Sequence, residues 1–273
     1  MNKIISIDLH ADFGFLKKPD TNDPVYFTYN MLHKPALLGI LGAILGLGGF
    51  SEAKKYVKPS GKNKDIKPVN KRDFLPEYYQ VLEGLKIGIK PLSDEKGNFQ
   101  KTIIKYNNGV GYANLDGGNM IITEQTLIKP SFCCYILLEE KNAVHQKLYE
   151  SLKQNKAEFL PYLGKNDFSI WWNGFEEFDF NEFNSTDSGF KCKSIFAKNI
   201  AAKEGLEELD YMQILMGEQG NTFVYFENLP FNYDLNLMQY NFKPFVFTDW
   251  NIKQNYPINS LYQLSNDEII QLF

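Results

Sequence analysis

The residue types able to do acid–base, metal or nucleotide chemistry are few in this chain, and their spacing is wrong for it. Three histidines are present, His10, His33 and His145. Histidine is the usual general acid or base near neutrality, yet these three fall at the end of a predicted strand, before a glycine-rich run and within a predicted helix. No two have metal-ligand spacing, and HEXXH, CXXC and Walker patterns are absent. Cys133 and Cys134 are adjacent, so on a strand they point to opposite faces and cannot hold one metal together, while Cys192 stands alone. All three read as small buried hydrophobes. Gly39, Gly42, Gly46, Gly48 and Gly49 lie in or after a helix rather than between strand and helix, the wrong place for a dinucleotide-binding turn. Close packing of that helix on a sheet explains the first three. Glu176, Glu177 and Asp179, in FEEFDFNEF, read as an acidic loop facing solvent or a partner. No catalytic set, metal site or cofactor is expected.

Basic and aromatic residues are better placed. Lys17 and Lys18 follow the first predicted strand, and His33 and Lys34 stand at a helix N-terminus, where free N–H groups favour phosphate. Lys101, Lys105, Tyr106 and Tyr112 fall on a predicted hairpin with glycines that let backbone approach a ligand. Lys165 is grouped with them. Cations for a phosphate backbone and rings for splayed bases are what single-stranded RNA requires. The usual RNP aromatic signature is missing.

The elements that must position these residues follow from periodicity. Ile4–Leu9 alternates and predicts a strand, and the short aromatic run Val25–Tyr29 comes after a polar stretch. Ala36–Phe50 is uncharged, carries five glycines and is shorter than the ~20 residues a membrane span needs. It predicts a buried helix ending at the Gly48–Gly49 pair, with Pro35 in its first turn. Strands are predicted at Leu85–Leu92, Phe132–Leu138 (apolar on both faces, hence central) and Phe168–Trp172. One or two hairpins are predicted over Gly97–Pro130, and a helix over Asn142–Gln154 with Val144, Leu148 and Leu152 inward. The order is β-α-β-β-α-β, that of a ferredoxin-like or RRM-like domain. Beyond it, a short helix around Leu206–Met216 and strands at Thr222–Phe226 and Phe242–Phe247 predict a second, aromatic-rich lobe.

Composition is that of a globular protein, with 44% hydrophobic and 23% charged residues, which excludes disorder and collagen-like structure. The net charge of −4 hides an asymmetry: residues 1–170 carry +5 and residues 171–273 carry −9. Ser51–Arg72 alone holds eight Lys/Arg against two acids, and Pro59, Gly61 and Pro68 make it a loop. One half is thus suited to a polyanion and the other to a basic protein surface. The start, MNKIISIDLH, has no apolar core of a secretory signal, so a cytoplasmic location is expected.

The run FLKKPDTNDPVYFTYNMLHKPALLGILGAILGL (Phe15–Leu47) resembles the N-terminal signature of the Cas-five family, a subunit of type I CRISPR surveillance complexes, or Cascade. LPEYY (Leu75–Tyr79), KIGIKPL (Lys86–Leu92), GNFQKTIIKYNN (Gly97–Asn108), TEQTLIKPS (Thr123–Ser131) and EFLPYLGKNDFSIWW (Glu158–Trp172) resemble the type I-B branch. The resemblance spans nearly all of residues 1–172 and continues less clearly beyond. It implies an α+β fold: a ferredoxin-like/RRM-like (RAMP) domain over 1–175, with basic loop 51–72 and a β-hairpin thumb over about 97–130. A small, acidic, β-rich C-terminal lobe over 188–273 follows. The implied role is to bind and cap the 5′ handle of CRISPR RNA in antiviral defence. The implied partners are the Cas-seven backbone subunit, the Cas-eight large subunit and, through the assembled complex, target DNA; no membrane is involved. Most members are structural, but the type I-C branch is a metal-independent endoribonuclease that uses tyrosine, lysine and histidine. Here no histidine occurs from Lys34 to Val144, which favours a non-catalytic role. The alternative is an endoribonuclease processing CRISPR repeat RNA through His33, near Tyr26 and Lys34. Reversing Lys101 and Lys105 to Glu is expected to weaken handle binding and assembly together.

Overall fold

The computed structural model describes residues 2–20, 24–53, 71–108, 120–185, 189–197, 223–252 and 258–273. In chain order the elements are β1 (Lys3–Ala11), β2 (Phe13–Gly14), α1 (Lys34–Leu45), a 3-10 turn (Lys71–Phe74), α2 (Glu77–Leu82), β3 (Ile87–Pro91), β4 (Lys101–Asn108) and β5 (Met120–Ile128). They continue with β6 (Ser131–Leu138), α3 (Ala143–Lys153), β7 (Ile170–Phe178), β8 (Phe180–Glu182), β9 (Phe196–Ala197), β10 (Val224–Asp234), β11 (Gln239–Thr248), β12 (Leu261–Leu264) and β13 (Ile269–Gln271). The fold is mixed α and β, with several antiparallel sheets and few helices. Most of the basic loop, the tip of the predicted hairpin including Tyr112, and the predicted helix at Leu206–Met216 lie outside the described residues.

The central sheet has four strands in the order β3-β6-β1-β7, with β1 antiparallel to both neighbours. Alternation along β1 puts Ile5, Ile7 and Leu9 on one face, where they share a core with Leu37, Leu38 and Leu41 of α1 and Leu148 and Leu152 of α3. β6 is the interior strand its two apolar faces predict. On the opposite face, Ile4, Tyr135 and Phe178 are covered by Tyr262, Leu264, Ile270 and Leu272 from the C-terminal part of the chain. The main core also takes in Ile195, Leu229, Phe245 and Phe247.

α1 forms because apolar residues recur at helical spacing, Pro35 occupies the first turn, and the His33 ring accepts from Ala36 N at 3.3 Å. The expected stop at Gly48–Gly49 is too late. The chain leaves the helix at Gly46, whose φ of 77° is left-handed, and Leu47 N then bonds Gly42 O at 2.9 Å. The glycines also meet a different neighbour from the one expected. A Cβ on Gly42 would stand 2.4 Å from Tyr78 Cβ, so the close approach is to α2 rather than to the sheet.

The acidic stretch read as a loop is strand for most of its length, in β7 and β8. Its periodicity explains this, since Phe178 turns inward while Glu177 turns out to Lys3 at 2.7 Å and Tyr149 at 2.7 Å. All three cysteines are buried and free, and burial pushes the Cys133 thiol up to about 12 and Cys192 to about 11. No described helix is long and apolar enough to cross a membrane.

Candidate nucleic-acid interface

β4 and β5 form one antiparallel hairpin, with Lys101 opposite Leu127 and Lys105 opposite Thr123. Its base is held at two places. β2 pairs with the end of β5. The chain at Tyr26 adds to the same edge of β5 as β2, opposite β4, with Tyr26 N donating to Thr123 O (2.9 Å) and Gln125 N donating to Tyr26 O (2.8 Å). Residues 16–18 pair in turn with 27–29, through Lys18 N to Phe27 O (2.8 Å) and Tyr29 N to Leu16 O (2.7 Å).

This ladder sorts the basic residues. On an extended segment, neighbours point opposite ways. Lys17 is exposed, its ammonium 4.1 Å from the Tyr26 ring centre. Lys18 turns inward to the buried Glu227 carboxylate at 3.1 Å. The register likewise puts Tyr26, Tyr106 and Glu124 on one face of the hairpin sheet. Glu124 is 2% exposed, with Lys165 Nζ 2.6 Å from one oxygen and the Tyr106 hydroxyl 3.3 Å from the other. Lys165 also donates to the Tyr106 hydroxyl at 2.9 Å and lies over three rings, Tyr106, Phe168 and Phe15, at 4.4, 5.5 and 5.8 Å. Burial lowers the Lys165 pKa, but the bonds to Glu124 and Tyr106 outweigh it, so the net shift is upward and the amine stays charged. Gly164 makes the approach possible: its φ is 85°, and a Cβ there would overlap Phe15 O at 1.8 Å.

A second group lies at the start of the hairpin. Asn30 accepts from Lys101 Nζ at 2.7 Å and from Phe99 N at 3.1 Å, and its amide donates to Gly97 O. Lys101 also donates to Asn98 and Phe99 O, and burial lowers its pKa. Glu227 closes the group by accepting from Asn30 N at 3.1 Å and Met31 N at 2.9 Å. Lys101 and Lys105 therefore share a strand face but not a role. Lys105 is exposed and has no partner among the described residues, whereas Lys101 is tied into the chain.

His33 and Lys34 are apart from both groups. Lys34 Nζ donates to Phe273 O at 3.1 Å, and burial together with nearby Lys243 lowers its pKa to about 8. His33 caps α1, stacks edge-on with Tyr29 at 5.4 Å and is lowered by burial to about 3, so it offers no charge to a phosphate at neutral pH. The sign of the linkage follows. An unfolded histidine binds its proton below about 6.5 while the folded one resists until about 3, so stability falls as pH drops through that window. We expect His33→Asn, which keeps a side-chain cap, to flatten this loss by at least about 1 kcal/mol, allowing for partial exposure. Melting curves of both proteins at pH 7 and pH 4.5 check it, and equal pH dependence would refute it.

Of the sequence-derived set, the structure thus gathers Lys17, Lys105, Tyr106 and Lys165 on the hairpin and its base. It places Lys18 and Lys101 in the Asn30–Glu227 group, and His33 and Lys34 at α1. Missed residues are Glu124, Phe15 and Phe168, while Tyr26, read from sequence only as a neighbour of His33, stands against Lys17 and β5. A signal for Glu124 exists in Ile122-Glu124-Thr126, where a carboxylate takes an inward position of an alternating strand.

No family profile matches the sequence, and no curated protein sequence matches it. Among solved structures, the chain is similar to one from a CRISPR RNA-guided surveillance complex, at 10% identity and TM-score 0.43 over 92% of each chain. It is similar to a CRISPR protein from Archaeoglobus fulgidus at 9% identity and TM-score 0.41, over 99% of this chain and 98% of that one. A chain of the type III-B Cmr-beta complex bound to cognate target RNA and AMPPnP has 10% identity and TM-score 0.43, over 92% and 86%.

Proposed function

We propose that this chain is a non-catalytic RNA-binding subunit of a type I CRISPR surveillance complex, of the Cas-five family and nearest its type I-B branch. In this reading the four-stranded sheet with α1 and α3 is the ferredoxin-like RAMP domain, the β4–β5 hairpin is the thumb, and residues 188–273 form the C-terminal lobe. The chain caps the 5′ handle of CRISPR RNA and joins the Cas-seven backbone to the Cas-eight subunit in the cytoplasm.

The observation that carries the reading is convergence. Four stretches that resemble the family, far apart in sequence, meet at one basic-aromatic surface. Phe15–Leu47 supplies Lys17 and Tyr26, Gly97–Asn108 supplies Tyr106, with Lys105 on the opposite face of the same strand, Thr123–Ser131 supplies Glu124, and Glu158–Trp172 supplies Lys165. Free cations at Lys17 and Lys105 would meet phosphates, while Tyr26 and Tyr106 are partly exposed for bases. Lys165 positions the hairpin, since its charge is already met by Glu124. The non-catalytic reading is favoured by His33, which at a pKa of about 3 is a weak base.

Two experiments test this. With the full chain, an unprocessed CRISPR repeat RNA and chelator, binding without cleavage is expected on a gel; a specific cut at the handle boundary would overturn the non-catalytic reading. Reversing Lys17 and Lys105 to Glu is expected to weaken handle RNA binding about ten-fold or more at 0.1 M salt. The slope of log affinity against log salt should shrink by about 0.7 per lysine. Wild-type affinity and slope would remove the hairpin from the interface.

A further inference from the structure

The face of the central sheet turned away from α1 and α3 changes character along β1. Ile4 is covered by the C-terminal strands, but Asp8 and His10 follow on the same face, beyond the apolar cluster that those strands complete. There the register aligns Ser131 of β6, His10 of β1 and Trp171 of β7 in one row across three strands. Trp171 is 48% exposed, whereas Trp172 and Trp250 are buried at 9% and 8%.

This exposed ring is held in place. It stacks on His10 with centroids 5.9 Å apart and planes 25° from parallel. Both His10 nitrogens are engaged, Nδ1 with Ser131 Oγ at 2.8 Å and Nε2 with Asn173 Oδ1 at 3.0 Å. Asn173 reaches His10 beside a bulge in β7 where Gly174 has φ 62°. Next to the rings is a cavity of about 560 Å³, lined by His10, Asp12, Ser93, Lys129, Ser131 and Trp171 among others. That is the size of a small-ligand site. Lys129 holds a left-handed backbone, φ 46°, pinned by Lys129 N donating to Asp12 O at 2.8 Å. A non-glycine residue in that region is strained. Its ammonium and the Asp12 carboxylate are both exposed, with no ion-pair partner among the described residues.

We propose that Trp171, with Lys129, Asp12 and Ser93, forms a stacking site for one nucleotide of single-stranded RNA, separate from the hairpin surface. The base lies on the free face of Trp171, the phosphate meets Lys129, and Asp12 and Ser93 face the ribose hydroxyls. A flat ring fixed by a second ring beneath it, with one cation at its edge, is the arrangement that holds a splayed base. The site requires only single-stranded nucleic acid and does not rest on the handle reading.

Because Trp171 is the exposed tryptophan, its fluorescence reports the site locally. The test titrates the full chain with a short oligoadenylate RNA, with the matching deoxy oligomer, and with AMP. The RNA is expected to quench a saturable part of the emission, and AMP to do so with lower affinity. The deoxy oligomer is expected to act several-fold more weakly; an equal response would overturn the assignment to ribose. Trp171→Phe should abolish the quench while circular dichroism stays unchanged. Lys129→Asn, which tolerates the left-handed backbone, should weaken the titration several-fold and reduce its salt slope by about 0.7. Wild-type emission unmoved by RNA that a gel shows to be bound, or a quench that survives Trp171→Phe, would overturn the site. So would an unaltered titration with Lys129→Asn for the phosphate contact. Wild-type affinity after reversal of Lys17 and Lys105, with the quench intact, would remove the hairpin reading and leave this site standing.

Discussion

Replacing Lys165 by Met is expected to destabilise the protein by about 3 kcal/mol and to loosen the hairpin from its base. Glu124 is 2% exposed and receives its close ionic contact, 2.6 Å, from Lys165. Removing the ammonium leaves a carboxylate with one long bond from the Tyr106 hydroxyl and no way back to water. Breaking a buried pair from one side commonly costs about 3–5 kcal/mol, and the partial exposure of Lys165 argues for the lower end. The Lys165 stem also packs against Phe15 and Phe168, and Met keeps much of that packing, so the loss reports charge rather than volume. Urea denaturation of the full chain measures the effect. The double variant Lys165→Met, Glu124→Gln should recover more than half of the lost stability, because the stranded charge is gone. If the single variant unfolds at the wild-type midpoint, Glu124 does not depend on Lys165 and the hairpin is held by its backbone pairing alone.

The second large effect is expected from Glu227→Ala. Its carboxylate, 7% exposed, accepts from two backbone N–H groups, Asn30 and Met31, and pairs with Lys18 at 3.1 Å. Truncation leaves two donors unsatisfied and a half-buried ammonium unpaired. Each orphaned donor costs about 1–3 kcal/mol, so a total near 3 kcal/mol and a melting temperature lower by roughly 6–12 °C are expected. Asn30 passes the change on, because its side chain holds Phe99 N, Gly97 O and Lys101. Glu227→Ala and Lys101→Met should therefore be non-additive in a double-mutant cycle, by at least about 0.5 kcal/mol. Additive effects would show that the two residues act independently. The same network alters the meaning of reversing Lys101 to Glu. That change places a second carboxylate against Asn30 Oδ1 and Phe99 O, so it would lower stability as well as RNA affinity. Lys105 and Lys17 are the cleaner pair for reading binding.

The individual elements were legible because local chemistry decides them. Alternation in Ile4–Leu9 and two-faced apolarity in Phe132–Leu138 are consequences of strand geometry. The spacing of Leu148 and Leu152 and the Asn142 cap mark α3 in the same way. The end of α1 was not legible. Several glycines could have stopped it, and the choice of Gly46 lies in hydrogen bonds to Gly42 and Ala43 made as the chain folds back toward α2.

For the candidate site, residue types and rough location could be read from sequence, since basic and aromatic residues cluster on a predicted hairpin and its flanks. Which cations remain free could not. Lys17 and Lys18 are neighbours with opposite fates, as are Lys105 and Lys101 on one strand face, because Glu227 and Asn30 arrive from distant parts of the chain. Glu124 and Lys165 are likewise brought together only by packing. Backbone preference and periodicity act over a few residues, so sequence alone determined the strands, helices and stock of charge. Ion pairing and burial act across space, at separations no local pattern encodes, so tertiary structure decided which charges hold the fold and which face outward.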